Sequence, residues 1–234
     1  MKNESTRTIA ASSGDGDIPV FTTADGDGDR PGLLLVPAIF GVDEGAKTLA
    51  RDVAAMGAHV WAPDPFWRTS PGVVGRDQEG FQAGIGRAKE LGDDVACTDF
   101  ADVIAAMGDE EGCNGNVAVA GLCFAGKFAL LLTSQGHAAA GASFHGTGMT
   151  AYAAEHADTI TAPLSLHFGD ADIATPVEAV ASLREVFKGH DSARIFLHEG
   201  GVEHGFADPG AEELDQAVYK LALAEIGRLL DGMR

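Results

Sequence analysis

Cys123 lies in the segment AVAGLCFAGK at 118–127, where an apolar run meets Gly121 and then a helix-forming stretch. A chain that passes so abruptly from strand to helix strains the residue at the apex and crowds its neighbours, so small residues are needed two before and two after it. Gly121 and Ala125 meet that need, and the segment reads as a nucleophile elbow with Cys in place of Ser. A thiol at a helix N-terminus faces free N–H groups and a partial positive charge that favour thiolate, more so beside a histidine. The N–H of Phe124 would point at the oxygen of a bound carbonyl. By itself GxCxA is equally the signature of an inert cysteine on a glycine turn. The residues downstream have to decide.

Two later apolar runs carry them. Residues 164–168 lead into Gly169-Asp170-Ala171-Asp172, and residues 194–198 lead into Gly200-Gly201-Val202-Glu203-His204-Gly205-Phe206. Each polar group follows the C-terminal end of an expected strand, the edge of an open α/β sheet where sites are built. The chain order nucleophile, acid, histidine is that of α/β-hydrolases.

The elements that must position these groups follow from periodicity. GLLLVPA at 32–38 is a continuous apolar run that reads as a strand buried on both faces. At 44–56, Ala46, Leu49, Val53 and Ala54 recur near helical spacing and stop before Gly57. The alternation continues with a strand at 59–62, helices at about 77–91 and 95–107, a strand at 116–120 and a helix at 124–134. Strands at 140–144 and 164–168, a helix at 177–187, a strand at 194–198 and a closing helix at 212–230 complete it. IPVFTT, between two Gly/Asp-rich stretches, reads as a short N-terminal edge strand flanked by turns. The pattern predicts an α/β fold with a mainly parallel central sheet and helices on both faces, and the order nucleophile, acid, histidine makes the α/β-hydrolase fold the expected one. The length of 234 residues fits one domain spanning 1–234.

Composition removes several classes of function. Sixteen Lys and Arg against 35 Asp and Glu leave a net charge of −19, which opposes phosphate neutralisation and argues against a nucleic-acid partner. No segment approaches the roughly 20 apolar residues of a membrane span, and residues 1–16 lack the apolar stretch of a signal peptide, so a cytoplasmic protein without a membrane partner is expected. The three cysteines show no CxxC spacing and cannot all pair with one another. Asp25, Asp27 and Asp29 imitate a calcium loop, but Arg30 and Val36 stand at its sixth and twelfth positions, and the segment reads as a turn. Gly84 and Gly86 follow no strand and lack a third glycine, so no dinucleotide fingerprint is present. The histidines show no HExxH or paired spacing, and neither metal nor cofactor is expected.

The segments PAIFGVDEGAK, WAPDPFWR, GLCFAGK, HFGDADIATP and EHGFAD, in this order and spacing, resemble the dienelactone hydrolase or carboxymethylenebutenolidase family over nearly the whole chain. The resemblance implies Cys123 as nucleophile, Asp172 as acid, His204 as base, and the backbone N–H groups of Ile39 and Phe124 as an oxyanion hole. The substrate it implies is a small-molecule ester or lactone. Ala38, Phe66, Trp67, Arg68, His145 and Phe206 are candidates for the pocket wall. Two departures stand out: Ala38 replaces a glutamate that many members carry, and Asp208 replaces an arginine suited to a substrate carboxylate. Arg68, Arg76 and Arg87, in the segment expected to cover the site, are the cations available in its place. A thioesterase or broad carboxylesterase, a ligand-binding pseudo-hydrolase without turnover and a redox-sensing thiol are the competing readings. A monomer or small homo-oligomer is expected.

Overall fold

The computed structural model describes residues 2–25 and 28–234. Its eight strands are β1 (Lys2–Ala10), β2 (Asp17–Asp25), β3 (Arg30–Val36), β4 (His59–Pro63), β5 (Cys113–Leu122), β6 (Ala140–Phe144), β7 (Leu164–Gly169) and β8 (Ala193–His198). They form one sheet in the order β1-β2-β4-β3-β5-β6-β7-β8. β2 runs antiparallel to β1 and β4, and every other neighbouring pair is parallel. The helices are α1 (Glu44–Ala54), α2 (Gln78–Glu90), α3 (Asp93–Gly108), α4 (Gly126–Ser134), α5 (Thr150–His156), α6 (Val177–Val186) and α7 (Gln216–Asp231).

The run GLLLV reads as doubly buried because its alternating side chains enter two different cores. Leu34 and Val36 join α3, α4 and α6 through Phe100, Phe128 and Leu183. Leu33 and Leu35 join α1 and α7 through Leu49, Val53, Ile226 and Leu230. The sheet is thus covered on both faces, and β3 and β5, which adjoin at its centre, end beside each other at Val36 and Gly121. The C-terminal ends of β3, β5, β7 and β8 therefore converge on one edge.

Several boundaries differ from the sequence reading. β1 was not expected at all: KNESTRTIA is polar because an edge strand keeps much of its surface in water, and the apolar alternation that would mark it is missing. The short α5 was also not foreseen. The closing helix starts at Gln216, four residues beyond the expected 212, because the Asp215 carboxylate caps the amides of Ala217 and Val218. The turn expected at Asp25, Asp27 and Asp29 includes residues 26–27, which lie outside the described residues. Among the described residues no helix is long and apolar enough to cross a membrane.

Candidate active site

At the end of β5 the chain makes a single tight 3-10 turn, Cys123–Ala125, before α4 begins at Gly126. The expected helix start at 124 is thus resolved into an elbow and then a helix. Cys123 has φ of 57°, a left-handed conformation that costs a non-glycine residue on the order of 1–3 kcal/mol. Crowding explains the flanking small residues. A side chain on Gly121 would overlap the carbonyl oxygen of Ala125, and one on Gly126 would overlap Ser143 Oγ. Among the non-glycine residues described, one other has a positive φ, His145 at 43°, just past β6. Its amide donates to His167 O at 2.9 Å, while Thr147 N donates to Cys123 O at 3.2 Å, so the loop after β6 braces the elbow.

The loops after β7 and β8 bring two side chains to this thiol. His204 Nε2 lies 3.2 Å from Cys123 Sγ, and His204 Nδ1 lies 2.8 Å from Asp172 Oδ2. Asp172 is buried, and its other oxygen accepts the amides of Ala174 at 2.8 Å and Thr175 at 3.1 Å, which fixes the carboxylate. Thr175 Oγ1 in turn donates to Gly146 O at 2.9 Å and ties this loop to the one after β6. Burial disfavours the His204 imidazolium, but hydrogen bonds to Asp172 and Cys123 outweigh it, and the pKa rises to about 10. Asp170 plays a different part. Its carboxylate accepts the amides of Gly200, Gly201 and Val202 at 2.8–2.9 Å, which hold it below the usual carboxylate range and fix the loop that carries His204.

The remaining expected residues divide into two groups. Phe206 is fully buried with its ring centroid 5.3 Å from that of His145, and His145 packs edge-on against His204 at 4.8 Å. Burial holds His145 well below the ordinary histidine range. Phe66 stacks on Phe124 at 5.4 Å. Ala38 is buried, and its carbonyl accepts Gly41 N at 3.1 Å in the turn that follows β3. Trp67 and Arg68, by contrast, are directed at α3 and the β1–β2 turn: Trp67 Nε1 and Arg68 Nε reach Asp99 at 2.9 and 2.8 Å, and Arg68 also pairs with Asp15 at 2.7 Å.

The three arginines named as stand-ins for the missing cation are all engaged. Arg76 bridges Asp43 at 2.7 Å and Asp208 at 2.9 and 3.1 Å, and Arg87 donates only to backbone carbonyls. The sequence reading missed Thr175 as a brace and Asp43 as a partner of Arg76. The threonine had a signal in its place three residues beyond Asp172, but the pairing of Asp43 with Arg76 has none in local spacing. The cysteines are free thiols. Burial pushes Cys97 up to about 12 and also raises Cys113. Among the described residues no group of three or more His, Cys, Asp or Glu side chains is placed to hold a metal ion. A cleft of about 640 Å³ lies at the other end of the sheet, lined by Arg7, His59, Trp61 and Glu110, and no thiol borders it.

Comparison with known proteins agrees with this architecture. Residues 19–232 match the family model described as the dienelactone hydrolase family. An Azospirillum brasilense protein assigned as a carboxymethylenebutenolidase is 27% identical over 206 residues, covering 84% of this chain and 85% of its own. The carboxymethylenebutenolidase of a Pseudomonas species is 25% identical over 211 residues, covering 88% of this chain and 87% of its own. A crystal structure from Klebsiella pneumoniae, assigned as a dienelactone hydrolase, superposes with a TM-score of 0.83 at 17% identity and covers 99% of both chains.

Proposed function

Because the chain belongs to the dienelactone hydrolase family, we propose that it hydrolyses activated esters or lactones, with Cys123 as nucleophile, His204 as base and Asp172 as the group that orients the imidazole. The observation that carries this reading is the unbroken run of contacts from Cys123 Sγ to His204 Nε2 at 3.2 Å and from His204 Nδ1 to Asp172 Oδ2 at 2.8 Å, mounted on a strained elbow. An inert cysteine has no need of such partners.

His204 holds the thiol proton as an imidazolium beside the Cys123 thiolate, and the buried Asp172 carboxylate stabilises that ion pair and orients the ring for the steps in which the imidazole is neutral. The thiolate attacks the carbonyl carbon, and the amides of Ile39 and Phe124 donate to the oxygen as it becomes anionic. One such donor contributes about 3 kcal/mol in comparable sites. Collapse breaks the ester C–O bond, and His204 returns its proton to the departing oxygen. Water, deprotonated by His204, then attacks the thioester and releases the acid and the free thiol.

The leaving group sets the substrate class. A thiolate leaves a tetrahedral intermediate readily, so an unactivated amide or alkyl ester reverts to starting material, while enol lactones, aryl esters and thioesters go forward. Within that set the chain favours neutral molecules. The position where family members carry an arginine holds Asp208, and the nearby Arg76 is already neutralised by Asp208 and Asp43. A substrate carboxylate is left without a bidentate partner, and the net charge of −19 repels it further. Steady-state kinetics on p-nitrophenyl acetate, a neutral enol lactone and a carboxylated dienelactone test this. The two neutral substrates should have the higher kcat/KM, whereas a value at least about tenfold higher for the carboxylated compound, one bidentate contact's worth, would overturn the specificity.

A further inference from the structure

Arg87 lies on α2, outside any contact with the thiol or the imidazole, yet it is only 3% exposed. Its Nε and Nη2 donate to Ile39 O at 3.0 and 2.6 Å, and its Nη1 donates to Ser70 O at 3.2 Å and Gly72 O at 2.7 Å. Among the described residues no carboxylate accepts a hydrogen bond from it. A buried cation without a hydrogen-bonded carboxylate is costly, and here four hydrogen bonds to carbonyl oxygens and the charge of nearby Asp64 offset part of that cost. The same guanidinium lies 4.0 Å from the centroid of Phe66, which stacks at 5.4 Å on Phe124. One side chain therefore reaches the Ile39 peptide directly and Phe124 through a single ring.

From this juxtaposition we propose that Arg87 is the positioning residue of the oxyanion hole, holding the Ile39 and Phe124 amides in register with each other. The inference rests on the roles assigned above to Cys123 and the two amides. The backbone of Ile39 is pinned from both sides. The Ala38 carbonyl, on the same peptide as the Ile39 N–H, accepts Gly41 N, and the next peptide's carbonyl is gripped by Arg87. Helix α2 closes the arrangement at Gly84, where a β-carbon would stand 2.9 Å from Ile39 O and 3.1 Å from its Cβ. Gly84 has no side chain because the oxyanion loop occupies that space. The grip is planar and forked, which a lysine ammonium cannot reproduce.

Two reactions of the same thiol separate this role from general support of the fold. Acylation by p-nitrophenyl acetate develops an oxyanion and needs the two amides. Alkylation by iodoacetamide displaces iodide at a saturated carbon and does not. In Arg87→Met, pre-steady-state acylation of Cys123 should fall about 100-fold, the size of effect expected when an oxyanion donor is lost or misplaced by about 1 Å, while alkylation of Cys123 should stay within about twofold of wild type, since thiol, imidazole and helix N-terminus are untouched. Gly84→Ala, which presses on Ile39 O without removing the buried charge, should give the same divergence and serves if Arg87→Met does not fold. Acylation unchanged in the variants, or acylation and alkylation falling together, would overturn the inference. A wild-type protein that turns the ester over without acylating Cys123 would instead overturn the reading of the site itself.

Discussion

At the scale of single residues, the two aspartates after β7 do different work although one residue separates them. Asp172 is buried and meets His204 Nδ1 at 2.8 Å, whereas Asp170 binds the amides of Gly200, Gly201 and Val202 and touches no part of the imidazole. Asp172→Asn leaves the shape of the site but favours the wrong imidazole tautomer, and kcat should fall by about 10³–10⁴-fold. Asp170→Asn should keep kcat within about tenfold of wild type, since a loop moves but no reacting group is lost, and should lower the thermal midpoint because three amides lose an ionised acceptor. Steady-state kinetics and thermal melts on both variants check this, and the reverse ranking in kcat would place the acid at Asp170. The GDAD spacing left either aspartate eligible by residue type. Only the resemblance favoured Asp172, and its contact with His204 at 2.8 Å is the observation on which the proposal for it rests.

At the scale of elements, the elbow was legible because its crowding dictates residue types. Gly121 and Gly126 are small where a side chain would strike Ala125 O and Ser143 Oγ, and steric exclusion of that kind writes itself into sequence. The same logic gives Gly84 a reason that the GIG segment at 84–86, which is no dinucleotide fingerprint, does not announce in the sequence. What could not be read is whatever depends on backbone partners or on water. Arg87 binds carbonyls, which every residue has, so no pattern announces its target. β1 is a polar edge strand without the alternation that betrays strands. Trp67 and Arg68 follow the same turn as Phe66, yet their bonds run to Asp99, 31 or 32 positions away in the chain. The elbow yields a direct test: Gly121→Ala should destabilise the protein by about 2–3 kcal/mol, because the clash is with backbone and cannot be relieved by a rotamer change. Urea unfolding measures it, and a midpoint and slope equal to wild type would show that the turn has room.

At the scale of the whole molecule, histidines set a pH window for stability. His204 keeps its proton in the folded state up to about 10 against 6.5 for an ordinary histidine, so its contribution is full below pH 6.5 and lost as pH rises toward 10. His145 and His167 act in the opposite sense. Burial lowers both, His167 to about 3, so below pH 6.5 the unfolded chain takes up protons that the folded chain refuses, and stability falls as pH falls. Each such histidine steepens the loss by up to about 1.4 kcal/mol per pH unit. Denaturant unfolding between pH 4 and pH 7 should therefore show a shallower acid limb in His167→Phe than in wild type, and identical limbs would show that His167 accepts a proton without unfolding.

Every step proposed for the site depends on the sulfur of Cys123 being the attacking atom. Rapid acid quench of a reaction with p-nitrophenyl acetate, followed by peptide mass spectrometry, tests this most directly. An acetyl group should appear on Cys123 alone, with Cys97 and Cys113 unmodified, and Cys123→Ala of intact fold should show no turnover. Ester hydrolysis that proceeds at the wild-type rate in Cys123→Ala, or turnover in the native protein without an acyl group on that sulfur, would contradict that role.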